Sequence, residues 1–287
     1  MKKIKLLAMA VAMMFTATCF TACGSDDDGE GIGNIDLPTP QYEQVSGKYE
    51  ITQAGSPYES IELGASGNYV VTRSYGGYSL APKTEGRARM ALPAKRGTTR
   101  STEYDGIIYG TFTSLGGGEY DLEGFGTIKL EYSGDNVTGI EVTTNGTTTN
   151  YAAEKAPTMS NDDITNALCR TWKIERIRDV YYDKETGKTD DITVTPENPG
   201  EEGYDMPVEV LWSKSGTYLV SYLDGSIGLA EWKWRDRSKG TMYYAWDGYW
   251  TGDYCTITFD GNRAVIHDKW EDEYGSDESW TYLVAED

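Results

Sequence analysis

From residue 41 to the C-terminus, apolar and polar residues alternate with a period of two, and this constrains the fold more than any other feature. Tyr49 and Ile51 alternate with Lys48 and Glu50; Ile128, Leu130 and Tyr132 with Lys129 and Glu131; Cys255, Ile257 and Phe259 with Thr256 and Thr258. Side chains along a strand point to opposite faces in turn, so each run predicts a strand with one buried face. Glycine-rich turns such as Ser133-Gly134-Asp135-Asn136 and Asp260-Gly261-Asn262 separate the runs, as antiparallel meanders require. One short helix is predicted, with Ser160 or Asn161 as cap and Asp162 to Leu168 as its body, acids falling in the first turn. The fold class is all-β.

The alternating region also repeats itself in order. Gly47-Lys48-Tyr49-Glu50-Ile51 matches Arg170-Thr171-Trp172-Lys173-Ile174, and Ser66-Gly67-Asn68-Tyr69-Val70-Val71 matches Ser215-Gly216-Thr217-Tyr218-Leu219-Val220. Thr127-Ile128-Lys129-Leu130 matches Thr256-Ile257-Thr258-Phe259, and the halves end alike at Tyr151-Ala152-Ala153-Glu154 and Tyr282-Leu283-Val284-Ala285-Glu286. A duplicated domain explains four matches in one order. The body divides into residues 41–157 and 158–287, each large enough for its own core. A first strand bearing an aromatic, then a meander of about eight strands in about 120 residues, resembles a lipocalin-like (calycin-type) barrel. The first-strand Gly-x-Trp motif of that family is split here: Gly47 stands with Tyr49, and Trp172 stands with Arg170. Two tandem barrels are thus expected, with two-sheet sandwiches as the alternative, since strands of the same length and alternation serve both.

The first 22 residues have the parts of an export signal: Lys2, Lys3 and Lys5, then an apolar run from Leu6 to Phe20. The run is short for a membrane span. Phe20-Thr21-Ala22-Cys23 resembles the lipobox of bacterial lipoproteins, which implies cleavage before Cys23 and lipidation of that residue. Residues 23–40 read as an acidic flexible linker. Within it, Asp26, Asp27 and Asp28 resemble the acidic surface-export signal that follows the lipidated cysteine in many anaerobic Gram-negative bacteria. The implied address is the outer membrane, lipid-anchored, on the cell surface; the periplasmic face is the alternative. The anchor itself is the first expected partner, since each buried methylene contributes about 0.8 kcal/mol.

Removing the three signal lysines from 26 basic and 46 acidic residues takes the net charge from −20 to about −23, which excludes nucleic acid as a partner. Aromatic residues make up 12% of the chain, too many for a disordered tail. The single histidine, His267, alternates with Ile266 and is expected to face solvent, so a histidine-based triad is excluded. Neither zinc-ligand spacing, nor a phosphate-binding glycine loop, nor a nucleophile elbow is present. Asp183 to Asp191 invites a calcium reading, but it lacks the ligand order of an EF-hand loop and reads as a polar hairpin turn. No metal and no cofactor is expected, and the protein is read as a non-enzyme. Glycoside hydrolysis by a carboxylate pair among residues such as Asp253, Glu271, Asp272 and Glu273 is a distant third reading.

Two functions stay open: a binding module for a glycan or a small apolar ligand, and an assembly lipoprotein that contacts other surface proteins. All eight tryptophans lie in the second half. Trp232, Trp234, Trp246, Tyr249 and Trp250 are the candidate ligand-binding residues. Trp232 with Trp234, and Tyr244 with Trp246, share interior faces. Tyr249 and Trp250 stand between Gly248 and Gly252, where a loop can hold rings at a rim beside Asp247 and Asp253. Cys169 and Cys255 correspond to Ser46 and Gly126 of the first half; they are either a disulfide gained in an oxidising compartment or two small buried residues. The insert from Leu80 to Ser101 carries six basic residues against Glu85 alone and is expected to be a mobile, protease-sensitive loop.

Overall fold

The computed structural model describes residues 32–74, 106–200, 203, 206–246, 250 and 252–286. Cys23, Asp26, Asp27, Asp28, the basic insert at 80–101 and Tyr249 lie outside the described residues.

After a short strand β1 (Gly33–Ile35), eight strands form the first body: β2 (Gly47–Ile51), β3 (Tyr58–Leu63), β4 (Asn68–Arg73), β5 (Ile107–Gly116), β6 (Glu119–Leu122), β7 (Gly126–Ser133), β8 (Asn136–Thr144) and β9 (Thr147–Lys155). Each pairs antiparallel with the next. The first then pairs with the last, Tyr49 opposite Lys155 and Ile51 opposite Ala153, which closes a barrel rather than a sandwich. Tyr49, Ile61, Leu63, Tyr69, Ile128 and Ile140 fill its interior. Alternation places Ile128 and Leu130 inside as expected, but Tyr132 is 50% exposed. The bulge beside it lies on β8, where Thr138 is the extra residue, so Tyr132 keeps the phase of Ile128 and Leu130 opposite the buried Val137 and is exposed by its place near the end of β7.

The helix α1 (Asp163–Leu168) opens the second body. Its cap is Asp162, which moves the predicted start by one or two residues: the carboxylate accepts from the Thr165 amide at 3.1 Å and the Thr165 hydroxyl at 2.9 Å. Then follow β10 (Thr171–Asp183), β11 (Thr189–Val194), β12 (Pro207–Trp212), β13 (Thr217–Tyr222), β14 (Ile227–Asp236), β15 (Thr241–Ala245), β16 (Tyr254–Gly261), β17 (Arg263–Glu271) and β18 (Gly275–Ala285). All but β11 form a second closed eight-stranded barrel, with β10 pairing β18 and β16 pairing β17. β11 is an added hairpin strand on the upper half of β10. Its turn is the polar hairpin the sequence predicts, the Asp183 carboxylate accepting from the amides of Glu185 and Thr186. Trp172, Trp212, Tyr218 and Trp232 fill the second interior together with Ile257 and Leu283. By the internal repeat and the strand registers, three of these tryptophans replace Tyr49, Leu63 and Phe112 of the first barrel. Much of the tryptophan excess in the second half is therefore core.

One segment departs from the expected organisation. Residues 33–35, read as flexible linker, form β1, which pairs in parallel with Phe259, Asp260 and Gly261 of β16 in the second barrel. Ile32 and Ile35 pack against that barrel's core, and the Arg170 guanidinium donates to the Asp36 carbonyl at 3.0 Å. Gly33 permits the approach: its φ is +89°, and a Cβ there would run into the Phe259 carbonyl oxygen. The second barrel is thus assembled from both sides of the first.

Candidate functional site: the cleft between the barrels

The barrels touch through their outer faces. Val70 and Ile107, with Tyr109, meet Leu211 and Leu219, with Ile227 and Leu229, in a third apolar cluster. Beside it, Glu62 is 4% exposed and accepts from the Thr217 hydroxyl across the interface at 2.5 Å; its other oxygen is buried without a partner among the described residues. The Lys214 ammonium ties the entry to the first barrel to the inter-barrel connection, donating to Glu43 Oε1 and Asn161 Oδ1, each at 2.9 Å.

On one side of this contact the faces diverge and leave a cleft of about 1320 Å³. Strand alternation supplies its walls. Lys48 and Glu50 point outward from β2 because Tyr49 points in; Leu229, Glu231 and Lys233 point outward from β14 because Ala230 and Trp232 point in. Tyr58 and Glu59 add to the first wall, Trp246 and Trp250 to the second. Hydroxyls of Ser60, Thr72, Ser74, Thr158 and Ser215 border it as well. Lys48, Glu50, Glu59 and Glu231 make no ion pair among the described residues, so one cation and three carboxylates stand around one space.

The five candidate ring residues divide. Trp232 borders the cleft but is 2% exposed, its indole N–H donating to the Ser213 carbonyl at 2.9 Å. Trp234 meets Trp232 edge-on at 5.3 Å and donates to Thr165 Oγ1 at 3.0 Å, so it seats α1. These two are packing residues. Trp246 leans on Tyr218 at 5.2 Å and reaches the cleft; its buried indole N–H has no partner among the described residues. Trp250 is 39% exposed at the cleft, with the Lys233 ammonium 3.9 Å from its ring centroid. Sequence reasoning placed the site within one barrel and missed the wall contributed by Lys48, Glu50, Tyr58 and Glu59. Those residues look like an ordinary solvated face until a second barrel stands opposite.

Cys169 and Cys255 are free thiols. Cys169 follows α1, and Cys255 points into the second barrel at 1% exposed. Burial pushes both thiols far above their ordinary range, against a small opposing pull on Cys169 from Lys214. Cys255 is thus a small buried residue of the barrel interior, whereas Cys169 is only half-buried after α1. His267 lies on the outer face, as alternation predicts, stacked on Trp280 at 5.1 Å with Nε2 2.8 Å from Glu278 Oε1. Among the described residues no group of three or more histidine, cysteine, aspartate or glutamate side chains is arranged to hold a metal ion. The chain matches no family model, no curated protein and no solved structure.

Proposed function

We propose that this chain is a non-catalytic, lipid-anchored surface protein built on two lipocalin-like barrels, and that the cleft between them binds a glycan. The observation that carries the reading is the cleft itself: a large open space bordered by the exposed Trp250 ring, by Tyr58 and by hydroxyl and carboxylate acceptors on both barrels. A sugar presents an apolar C–H face to a ring and donates its hydroxyls to such acceptors. A small apolar ligand is the weaker candidate, because the walls carry Lys48, Glu50, Glu59, Lys214, Glu231 and Lys233, and desolvating charges without new partners is costly. The lipid anchor and surface address rest on Cys23 and the aspartates after it.

The test is a glycan array probed with the full chain and with Trp250→Ala. The wild type is expected to retain a glycan. The variant is expected to lose it while its unfolding midpoint stays near wild type, since the ring is outside the core. An array with no retained glycan, or an affinity unaffected by the substitution, overturns the proposal.

One observation favours assembly through protein contacts instead. Among the described residues β11 pairs with β10 alone and carries Ile192, 56% exposed, leaving an edge on which a further strand could pair. Cross-linking on intact cells that captures other surface proteins through β11, alongside a blank array, would favour this second reading.

A further inference from the structure

The barrels meet through equivalent faces. Matching Tyr69 with Tyr218, as the internal repeat does, and following the strand registers outward pairs Val70 with Leu219, Ile107 with Ile227, Tyr109 with Leu229 and Glu62 with Leu211. Every member of these pairs lies in the contact between the barrels. A smaller cavity of about 260 Å³ within the contact repeats the pattern: Ser46, Leu63 and Ser66 line it beside their counterparts Cys169, Trp212 and Ser215. A patch that packs on its own counterpart is the arrangement of a two-fold, isologous pair. Here both partners belong to one chain.

Two-fold packing generates two related seams, one on each side of the shared contact, and they differ. One is shut. Tyr109 donates to Glu209 Oε1 at 2.8 Å, accepts from Asn68 Nδ2 at 3.2 Å and lies 3.5 Å from Thr171 Oγ1, joining the barrels through a polar network. The same registers give the counterparts of these four residues: Leu229 for Tyr109, Ser60 for Glu209, Thr217 for Asn68 and Lys48 for Thr171. All four counterparts border the large cleft.

We propose that the cleft is the second seam of this two-fold pair, and that Leu229 and Ser60 hold it open by standing where Tyr109 and Glu209 shut the first. Leu229 lacks the hydroxyl that reaches across, and Ser60 lacks the side-chain length to meet it. The pair thereby sets access to the site, one open cleft per chain, with the shut seam as its latent copy. This deepens the glycan reading by naming the residues that admit the ligand, but the geometry it invokes is independent of what the ligand is.

The test uses thiol labelling on the full chain and needs no ligand, so its failure is separate from a failure of the glycan reading. Lys48→Cys places a reporter on the partly exposed wall of the cleft; its counterpart in the shut seam is Thr171→Cys, at a position 2% exposed. A small methanethiosulfonate reagent should label the Lys48→Cys reporter at least about tenfold more slowly once Leu229→Tyr and Ser60→Glu are added. Conversely, Tyr109→Leu with Glu209→Ser should speed labelling at the Thr171→Cys reporter by a similar factor. Circular dichroism and the unfolding midpoint confirm the fold of each variant. Where the closing pair fails to fold, the opening pair decides alone. Unchanged labelling rates in folded variants overturn the proposal.

Discussion

Gly33→Ala is the sharpest test of how the second barrel is completed. The residue stands at φ +89° with the Phe259 carbonyl where a Cβ would go, so alanine cannot be accommodated while β1 stays paired. The cost is bounded by what β1 contributes when docked. Partial burial of Ile32 and Ile35 is worth about 2–3 kcal/mol together. The charge-assisted bond from Arg170 to the Asp36 carbonyl adds about 1.5–3 kcal/mol. Freeing the three residues of β1 returns about 1–2 kcal/mol of backbone entropy each, a sum comparable to the gain, so the net loss is no more than about 1–2 kcal/mol. Gly134→Ala is the control: its φ is +64°, nothing lies within 4 Å of an added Cβ, and only left-handed strain of about 1–2 kcal/mol is expected. Because the totals are similar, location rather than size decides. Amide hydrogen exchange reads it at Phe259, whose N–H donates to the Ile32 carbonyl at 2.7 Å. That amide should lose protection in Gly33→Ala and keep it in Gly134→Ala. Retained protection at Phe259 in the Gly33 variant would refute the reasoning, because β1 would then tolerate a side chain where the geometry forbids one.

Three further outcomes are expected. Trp172→Ala should destabilise by about 3–5 kcal/mol in denaturant titration, since the ring is fully buried and its N–H donates to the Leu168 carbonyl at 3.0 Å; a loss below about 1.5 kcal/mol would contradict its place in the core. Glu209 titrates above its ordinary 4.5, chiefly through burial and also through Glu286, against the Tyr109 hydrogen bond; a carboxyl raised on folding stabilises most when protonated, so its contribution falls as pH rises from about 4.5 through the raised value. Glu209→Gln should lack that downward slope, so the variant gains on wild type as pH rises through this range, and an unchanged pH profile would argue against it. Cys23→Ala should leave an unlipidated precursor, so membrane fractionation that still finds the variant lipid-anchored would defeat the lipoprotein reading.

Local chemistry made much of this protein readable in advance. Alternation at Ile128 and Leu130, at Cys255, Ile257 and Phe259, and at Trp232 and Trp234 predicted inward faces, because a strand's period of two follows from backbone geometry alone. The matched segments around Tyr69 and Tyr218 predicted two domains of one design, because equal sequences in order fold alike. The exposure of Tyr132 escaped, since alternation gives the face a side chain takes and not how far along the strand the barrel covers it.

What the sequence could not decide is whatever depends on pairing across long separations. Closure of the sheet into a barrel rests on β2 meeting β9 and β10 meeting β18, and a sandwich would have satisfied the same alternation. β1 looked like linker because three residues carry no periodicity; only the open edge of β16 made them a strand. Lys48, Glu50 and Glu59 read as solvated surface, and Leu229 and Ser60 as nothing in particular. The tertiary structure turned the first three into a wall and the last two into an opening, because a cleft belongs to two surfaces at once and neither segment of sequence contains the other.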